Sequence, residues 1–400
     1  MRWLLSFSWL SAPAVHDFQV GLTGAVLAVW LVSLVLLVAG RRRYLPLADM
    51  GIRIDQPDRL PMLSVIVPAC NEAAAIERAM SSLLSLDYPN LEIIAVNDRS
   101  TDATGEILDR LAAANPLMRV IHIDRLPPGW LGKNHALQAA SEQARGEWLL
   151  FTDADVVLDR QCMLKAVSYA VSRKIDHLVL SPECETRGFW ERLFVSYFGL
   201  MFCFKIRPWD VSDRQKSAYV GLGAFNMVRA AAYHHFGGHR ALPMEVADDM
   251  KLGKVMKRNG FSQELLDGRE LVSVRWVIGL RGIVEGLTKN AFAGLEFRLS
   301  IAMGAVVALA VMSLYPVAAI ATGPSTARMF AAANLGIMVL GAAAMRKLSG
   351  AGGRYGLAYP LASLILIYIV LRSTWRAYRQ DGILWRGTLY PLDELRRGVV

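Results

Sequence analysis

From Val20 to Gly40 the chain runs for 21 residues without a charge (VGLTGAVLAVWLVSLVLLVAG), then meets Arg41, Arg42 and Arg43. About 20 apolar residues in a helix cross the hydrocarbon of a bilayer, so this stretch predicts a transmembrane helix. Three further apolar runs, about Leu299–Ala321, Met329–Met345 and Tyr355–Leu371, predict spans near the C-terminus. With 54% of its 400 residues hydrophobic and concentrated in such runs, the chain is neither disordered, nor collagen-like, nor a wholly soluble enzyme.

A triple arginine directly after a first span is retained in the cytoplasm. The short N-terminus is therefore expected outside and the chain beyond Arg43 inside, in a multi-pass protein of the cell (inner) membrane. The run is too long for the core of a signal peptide, and no small-x-small cleavage site precedes Arg41. Three C-terminal crossings would leave Arg372–Val400 outside, yet its six arginines against three acids argue for inside. One run is then re-entrant or interfacial, or the tail breaks the rule; Met329–Met345, rich in Ala and Gly, is the weakest span. Much of the net charge of +9 flanks the apolar runs, where lipid headgroups account for it better than nucleic acid. No nucleic-acid partner is expected. Four separated cysteines without a Cys-x-x-Cys form neither a disulfide framework nor a zinc site. The expected organisation is a membrane helix and linker (1–60), a globular domain (61–298), C-terminal membrane helices (299–372) and a basic tail (373–400).

The globular stretch opens with alternating strands and helices. Leu63–Val67 (LSVIV), Leu91–Val96 (LEIIAV), Val120–Ile123 (VIHI) and Glu147–Phe151 (EWLLF) are short apolar runs of the buried-strand type. Between them, Ile76, Met80, Leu83 and Leu84 fall at helical spacing, a second helix follows a cap at Thr101 or Asp102, and Gly132–Ala144 reads as a third. This alternation predicts an α/β domain with a mostly parallel sheet, binding ligands at the carboxyl ends of its strands.

Those strand ends are chemically loaded. The first runs into Pro68-Ala69-Cys70-Asn71-Glu72, the second into Asn97-Asp98-Arg99-Ser100, the fourth into Thr152-Asp153-Ala154-Asp155. Singly, an Asn-Glu before a helix is a cap and an Asp after a strand is a turn residue. Four carboxylates on one sheet edge repel one another unless cations or hydrogen-bond donors occupy the site. Asp153 and Asp155, two apart in extended chain, can point the same way, and hard oxygens of this kind suit Mg²⁺ or Mn²⁺ shared with substrate phosphates. Lys133, in Gly129-Trp130-Leu131-Gly132-Lys133-Asn134, opens a helix and can meet phosphate or an acid. No Walker A pattern is present, and Gly221-x-Gly223 lacks the third glycine of a dinucleotide fingerprint, so neither NTPase nor Rossmann chemistry follows.

As an ordered set, Val65-Ile66-Val67-Pro68-Ala69-x-Asn71-Glu72, Asn97-Asp98-x-Ser100-x-Asp102, Gly132-Lys133-Asn134, Asp153-Ala154-Asp155 and Asp248-Asp249 before a helix resemble the family 2 glycosyltransferases. The resemblance covers about Leu63–Phe297 and implies an inverting enzyme with the nucleotide-diphosphosugar transferase (GT-A type) fold. With transmembrane helices at both ends the chain resembles the membrane-anchored subgroup of ceramide glucosyltransferases and hopanoid- or carotenoid-associated bacterial enzymes. Phe189-Trp190-Glu191-Arg192-Leu193 and Trp385-Arg386-Gly387-Thr388-x-Tyr390 add to that impression. The resemblance implies that Ala69, Glu72 and Asp98 hold the nucleoside, with Pro68 and Asn71 among the residues that bind the nucleotide-sugar. It implies that Lys133 and Asp153 contact the nucleotide-sugar, and that Asp155, with Asp153, ligates Mg²⁺ or Mn²⁺. Asp249 would be the general base with Asp248 beside it.

The family's Glu-Asp at the base position is Asp248-Asp249 here, with Glu245 three residues earlier. Processive polysaccharide synthases carry Gln-x-x-Arg-Trp; this chain keeps Arg275-Trp276 without the Gln, and its C-terminal membrane part is thin for a polymer channel. Arg275 and Trp276 are retained as acceptor-side candidates. Arg192–Lys205 encloses an apolar stretch too short to span, either a core helix or an interfacial one. Arg281–Arg298 carries an apolar stripe (Ile283, Val284, Leu287, Ala291, Leu295) that suits a membrane surface or an ordinary amphipathic packing. His234, His235 and His239, near two glycines, read as a surface loop. The expected function is transfer of a sugar, UDP-linked by preference, from a nucleotide-diphosphosugar donor to a hydroxyl of a lipid acceptor. A processive synthase and an inactive membrane scaffold are the alternatives.

Overall fold

The computed structural model describes residues 12–51 and 60–400. The expected linker lies, at 52–59, outside the described residues, as do residues 1–11. A helix α1 (Ala12–Gly40) leads into the α/β domain. Its first half is β1 (Leu63–Ala69), α2 (Ile76–Leu84), β2 (Leu91–Asp98), α3 (Thr104–Ala114), β3 (Met118–Ile123), α4 (Gly132–Ser141) and β4 (Trp148–Phe151). There follow β5 (Val156–Leu158), α5 (Cys162–Arg173), β6 (His177–Ser181), β7 (Glu183–Cys184) and α6 (Gly188–Ile206). The domain closes with β8 (Asn226–Arg229), α7 (Ala230–His235), α8 (Asp248–Arg258), β9 (Gln263–Asp267), β10 (Val272–Val274) and α9 (Gly279–Ala291).

Seven strands form one sheet in the order β3-β2-β1-β4-β8-β6-β9, parallel except where β8 runs against both neighbours. The strand period of two decides which layer each residue enters. Leu63, Val65 and Val67 of β1 join Ile93 of β2 beneath Ile76, Met80 and Leu83 of α2. Ile66 and Ile94, one residue out of phase, pack on Ala136 and Leu137 of α4. Both faces are covered, as a parallel sheet requires, so the strand ends are the part of the sheet left for chemistry.

The C-terminal region contributes α10 (Leu299–Leu309), α11 (Tyr315–Thr322), α12 (Ser325–Ala344), α13 (Arg346–Ser349) and α14 (Tyr359–Arg379). It ends in a hairpin of β11 (Gly382–Trp385) and β12 (Thr388–Pro391), then α15 (Leu392–Arg397). By length and composition four helical stretches can cross a membrane: Pro13–Gly40, Leu299–Thr322, Ser325–Ala344 and Gly353–Arg379. Between α10 and α11 the helix widens to a π turn at Ala310–Leu314. Pro316 has no N–H for the carbonyl of Met312, four residues back, and the Trp30 indole of α1 donates to that oxygen at 3.0 Å. An unpaired carbonyl in an apolar bundle costs several kcal/mol, so this bond fixes α1 against the π turn.

The contacts of Gly353–Arg379 bear on the conflict between span count and tail charge. Ser349, at the foot of α12, accepts a hydrogen bond from Thr186 of the α/β domain at 2.8 Å. Beyond it Gly356 lies against Met338 of α12, and the Tyr359 and Ser196 hydroxyls meet at 2.8 Å. From there α14 runs past Leu309, whose carbonyl takes the Ser363 hydroxyl at 3.2 Å, to Ser373, which accepts the Phe292 N–H at 3.0 Å. Both ends of this stretch touch the α/β domain.

The two ambiguous segments also resolve. α6 is buried by protein: Leu193, Tyr197 and Leu200 share a cluster with Trp30 of α1 and Met338 of α12. The stripe of α9, expected to suit a membrane surface, instead packs Ile283 and Leu287 against Phe194 and Val195 of α6 and Ile369 of α14.

Candidate functional site

The loops after β1 and β2 are built as one unit. Asn71 and Arg99, each just past its strand, take left-handed backbone angles (φ 56° and 55°), a conformation that costs free energy and is held only where surroundings impose it. The Asn71 N–H donates to Ser100 Oγ at 3.1 Å, and the Thr101 N–H donates to Asn71 Oδ1 at 2.7 Å. Glu72 N–H reaches Thr104 Oγ1 at 2.8 Å and Ala73 N–H reaches Asp102 Oδ2 at 3.1 Å. Asn71, expected at the nucleoside, thus cross-links two loops with its side-chain oxygen. Asp98 is buried, and the Arg99 guanidinium donates to both its oxygens (2.7 and 3.0 Å).

The acids converge around one lysine. Lys133, in the first turn of α4, places Nζ 2.9 Å from Asp153 Oδ1 and 3.4 Å from Asp248 Oδ1. Pro68, Lys133, Asp153, Gly223, Asp248 and Asp249 line one small cavity at the sheet edge. Gly223 ties the acids together through its backbone: its carbonyl accepts the Asp153 N–H at 2.9 Å, and its N–H donates to Asp249 Oδ2 at 2.8 Å. The other Asp249 oxygen accepts the Met250 N–H at 2.7 Å. A side chain at Gly223 would collide with the Asp153 carboxylate, and one at Gly221 with the Asp249 backbone. These glycines, given no weight as a fingerprint, are the seats of the two acids.

Burial and crowding set the charges here. Burial lowers the Lys133 ammonium, but Asp153, Asp248 and Asp249 outweigh it and hold it above its ordinary value. Burial pushes Asp248 up to about 7 against the pull of Lys133, with Asp249 and Asp153 adding to the rise. Asp249 is raised by burial as well, again opposed by Lys133. Asp155 sits in a turn, not in extended chain. Desolvation first, then Asp153 and Glu72, push its carboxyl up to about 6, although solvent on its open side damps such a shift.

Asp155 and Asp153 fit a divalent cation. Crowded hard oxygens are short of positive charge at Asp155, whereas Asp153 already has Lys133. Among the described residues no three His, Cys, Asp or Glu side chains form a ligand cage.

The structure departs from the sequence reading at three places. His239 is completely buried, not in a surface loop; only His234 and His235 are exposed. It lines the acid cavity, hydrogen-bonded to the Tyr233 hydroxyl at 2.7 Å, and burial, then the Lys133 cation, pull it down to about 3, so it is neutral. Arg275 and Trp276 are not brought to the acids: Arg275 pairs with buried Glu191 at 3.4 Å, and Trp276 packs on Phe198 of α6. The basic tail folds onto the strand ends. Arg386 pairs with Glu72 and donates to the Asn71 carbonyl at 3.3 Å, Thr388 accepts from Arg99 at 3.3 Å, and the Tyr390 hydroxyl accepts the Gly132 N–H at 3.2 Å. The Lys289 ammonium lies 4.7 Å over the Trp385 ring, lowered by burial and then by Lys133 and Arg386.

Residues 64–231 match the family model described as glycosyl transferase family 2. The 4,4'-diaponeurosporenoate glycosyltransferase of Staphylococcus haemolyticus (strain JCSC1435) is 26% identical over 235 residues, 58% of this chain and 61% of that protein. The beta-monoglucosyldiacylglycerol synthase of Synechocystis sp. (strain ATCC 27184 / PCC 6803 / Kazusa) is 32% identical over 136 residues, 33% of this chain and 28% of that protein. The chain thus spans less than two thirds of the length of either relative. Among solved structures, mannosyltransferase PcManGT from Pyrobaculum calidifontis, in complex with GDP-Man and Mn²⁺, has a TM-score of 0.58 at 18% identity, over 88% of this chain and 99% of that one. The α/β domain accordingly has the GT-A type of fold.

Proposed function

We propose that this chain, whose residues 64–231 match the family model described as glycosyl transferase family 2, moves a sugar from a nucleotide-diphosphosugar to a hydroxyl of a membrane lipid, with inversion at the anomeric carbon. The observation that carries the reading is Lys133, set between Asp153 and Asp248 at the end of a parallel sheet, with Asp249 held alongside by Gly223. One cation and a ring of acids, some short of counter-charge, form a site that separates phosphate binding from proton removal.

Displacement at the anomeric carbon passes through an oxocarbenium-like state, so a diphosphate must be stabilised as it leaves and a hydroxyl activated as it arrives. Lys133 meets the first need from its place beside Asp153. Asp249 meets the second. Asp248 is the more buried of the pair and is engaged by Lys133, while Asp249 is more open and is oriented by two backbone amides. Its raised proton affinity suits a base that accepts a proton from a hydroxyl. When bound at Asp155, with Asp153 beside it, Mg²⁺ or Mn²⁺ supplies Lewis-acid stabilisation of the departing diphosphate; the Mn²⁺ of the mannosyltransferase with this fold supports that assignment.

A lipid acceptor follows from placement. The site's α9 packs on α6 and α14, elements of the apolar bundle, and two relatives are named for a carotenoid acid and a diacylglycerol lipid. With the catalytic domain in the cytoplasm, the acceptor is reached at the cytoplasmic leaflet.

The test is incubation of the reconstituted protein with radiolabelled UDP- and GDP-sugars, lipid extract and Mn²⁺. One sugar per lipid is expected. A ladder of products would mean a polymerase, and no labelled product from any donor would remove the reading.

A further inference from the structure

We propose that the C-terminal hairpin is part of the donor site, and that Arg386 and Lys289 are binding residues for the diphosphate of the nucleotide-sugar. The inference rests on the glycosyltransferase reading and adds to it a phosphate-binding wall from beyond the membrane helices.

Three observations carry it. First, besides the apolar packing of Ile383 and Tyr390 on Leu131 and Phe292, the hairpin is fastened to the site at several polar points. Arg386 reaches the loop after β1, Thr388 the Arg99 that holds Asp98 after β2, and Tyr390 the Gly132 amide that opens α4. A two-stranded hairpin is marginal by itself in water, and these contacts dock it over the strand ends. Second, Arg386 is presented at cost. The turn needs left-handed backbone at both central positions, Arg386 at φ 49° and Gly387 at φ 80°. Gly adopts that freely and arginine does not, whereas Asn or Asp is the usual first residue of such a turn. An arginine here is explained by what its guanidinium reaches.

Third, among the described residues one cation of the site has no carboxylate partner and another is shared with a single acid at the exposed edge. Lys289 pairs with no carboxylate among the described residues and lies over the Trp385 ring, in the field of Lys133, Arg386, Asp153 and Glu72. The guanidinium of Arg386 is paired with Glu72 at the end of β1, and a planar fork of donors matches phosphate oxygens as well as it matches a carboxylate. Lys133, Lys289 and Arg386 come from three separate elements, α4, α9 and the hairpin, and Lys289 lies in the field of the other two.

The experiment is calorimetric titration of the full-length protein in detergent and Mn²⁺ with UDP, UMP, GDP and GMP. Wild type is expected to prefer the diphosphate of its own base over the monophosphate. In Arg386→Gln and in Lys289→Met this preference should fall about tenfold, the scale of one charge-assisted contact, with monophosphate affinity nearly unchanged. Arg386→Lys should recover part of it. Damage to the fold would weaken both nucleotides alike, and a melting curve without nucleotide identifies it; should Arg386→Gln fail to fold, Arg386→Lys and Lys289→Met decide. Wild-type diphosphate preference in the folded variants overturns the proposal and leaves the glycosyltransferase reading intact. Absence of nucleoside diphosphate binding in the wild type takes both down.

Discussion

The backbone N–H of Gly223 donates to Oδ2 of Asp249 at 2.8 Å, while the carbonyl of the same residue accepts the Asp153 N–H at 2.9 Å. The two backbone groups of this one residue therefore register the proposed base against the acid paired with Lys133. A methyl group at 223 would collide with the Asp153 carboxylate. Gly223→Ala is expected to lower kcat/KM at least about tenfold, since small displacements of positioned groups are costly to rate. Steady-state transfer assays check it, with membrane insertion unchanged.

Lys133 is the main counter-charge for three carboxylates. Removing one partner of a buried ion pair costs about 3–5 kcal/mol, so Lys133→Met should destabilise the domain on that scale and abolish donor binding. The loss should be smaller at pH 6 than at pH 8, because the stranded acids escape by taking up protons. Melting temperatures at the two pH values measure this; equal losses would contradict the assignment of Lys133 as counter-charge.

Asp155 gives a pH signature. Its folded-state pKa, about 6, lies above the ordinary value for an aspartate. The folded protein therefore binds more protons than the unfolded chain between pH ~4 and ~6, and the stability Asp155 contributes declines as pH rises through that window. Above it the cost is fully present. Asp155→Asn should accordingly melt higher than wild type at pH 7.5, and the gap should close towards pH 4. A gap that widens on acidification would show the opposite sign.

The path of Gly353–Arg379, with both ends against the α/β domain, predicts that the tail lies on the same side of the membrane as the catalytic site. Single cysteines at Glu394 and at Asp124, in a background without native cysteines, should react with an impermeant maleimide from the same side of sealed vesicles. Labelling from opposite sides would restore three full crossings.

Much of this was legible from residue order. Strand period and the acids just past each strand located the sheet edge, because both are local properties of the chain. What remained hidden depends on long-range packing. Gly221 and Gly223 matter for the carboxylates pressed against them, not for any fingerprint. Arg386 meets Glu72 across 314 positions, and the reversed backbone at Arg386-Gly387 was the only local sign of a hairpin in a tail read as basic. His239 became a cavity wall through the fold of its neighbours. Hydropathy registered α14 as apolar but is blind to what the ends of a helix touch. Arg275 pairs with Glu191, far along the chain, a contact no local pattern announces.

The most direct test of the central claim is transfer from radiolabelled donor to lipid by Asp249→Asn beside the wild type, with donor affinity measured on the same preparations. Asparagine keeps an acceptor for the Gly223 N–H and removes the base. The account predicts unchanged donor affinity with kcat lowered by about 10²–10⁴-fold, the contribution of a positioned general base. Wild-type turnover by that variant would contradict it.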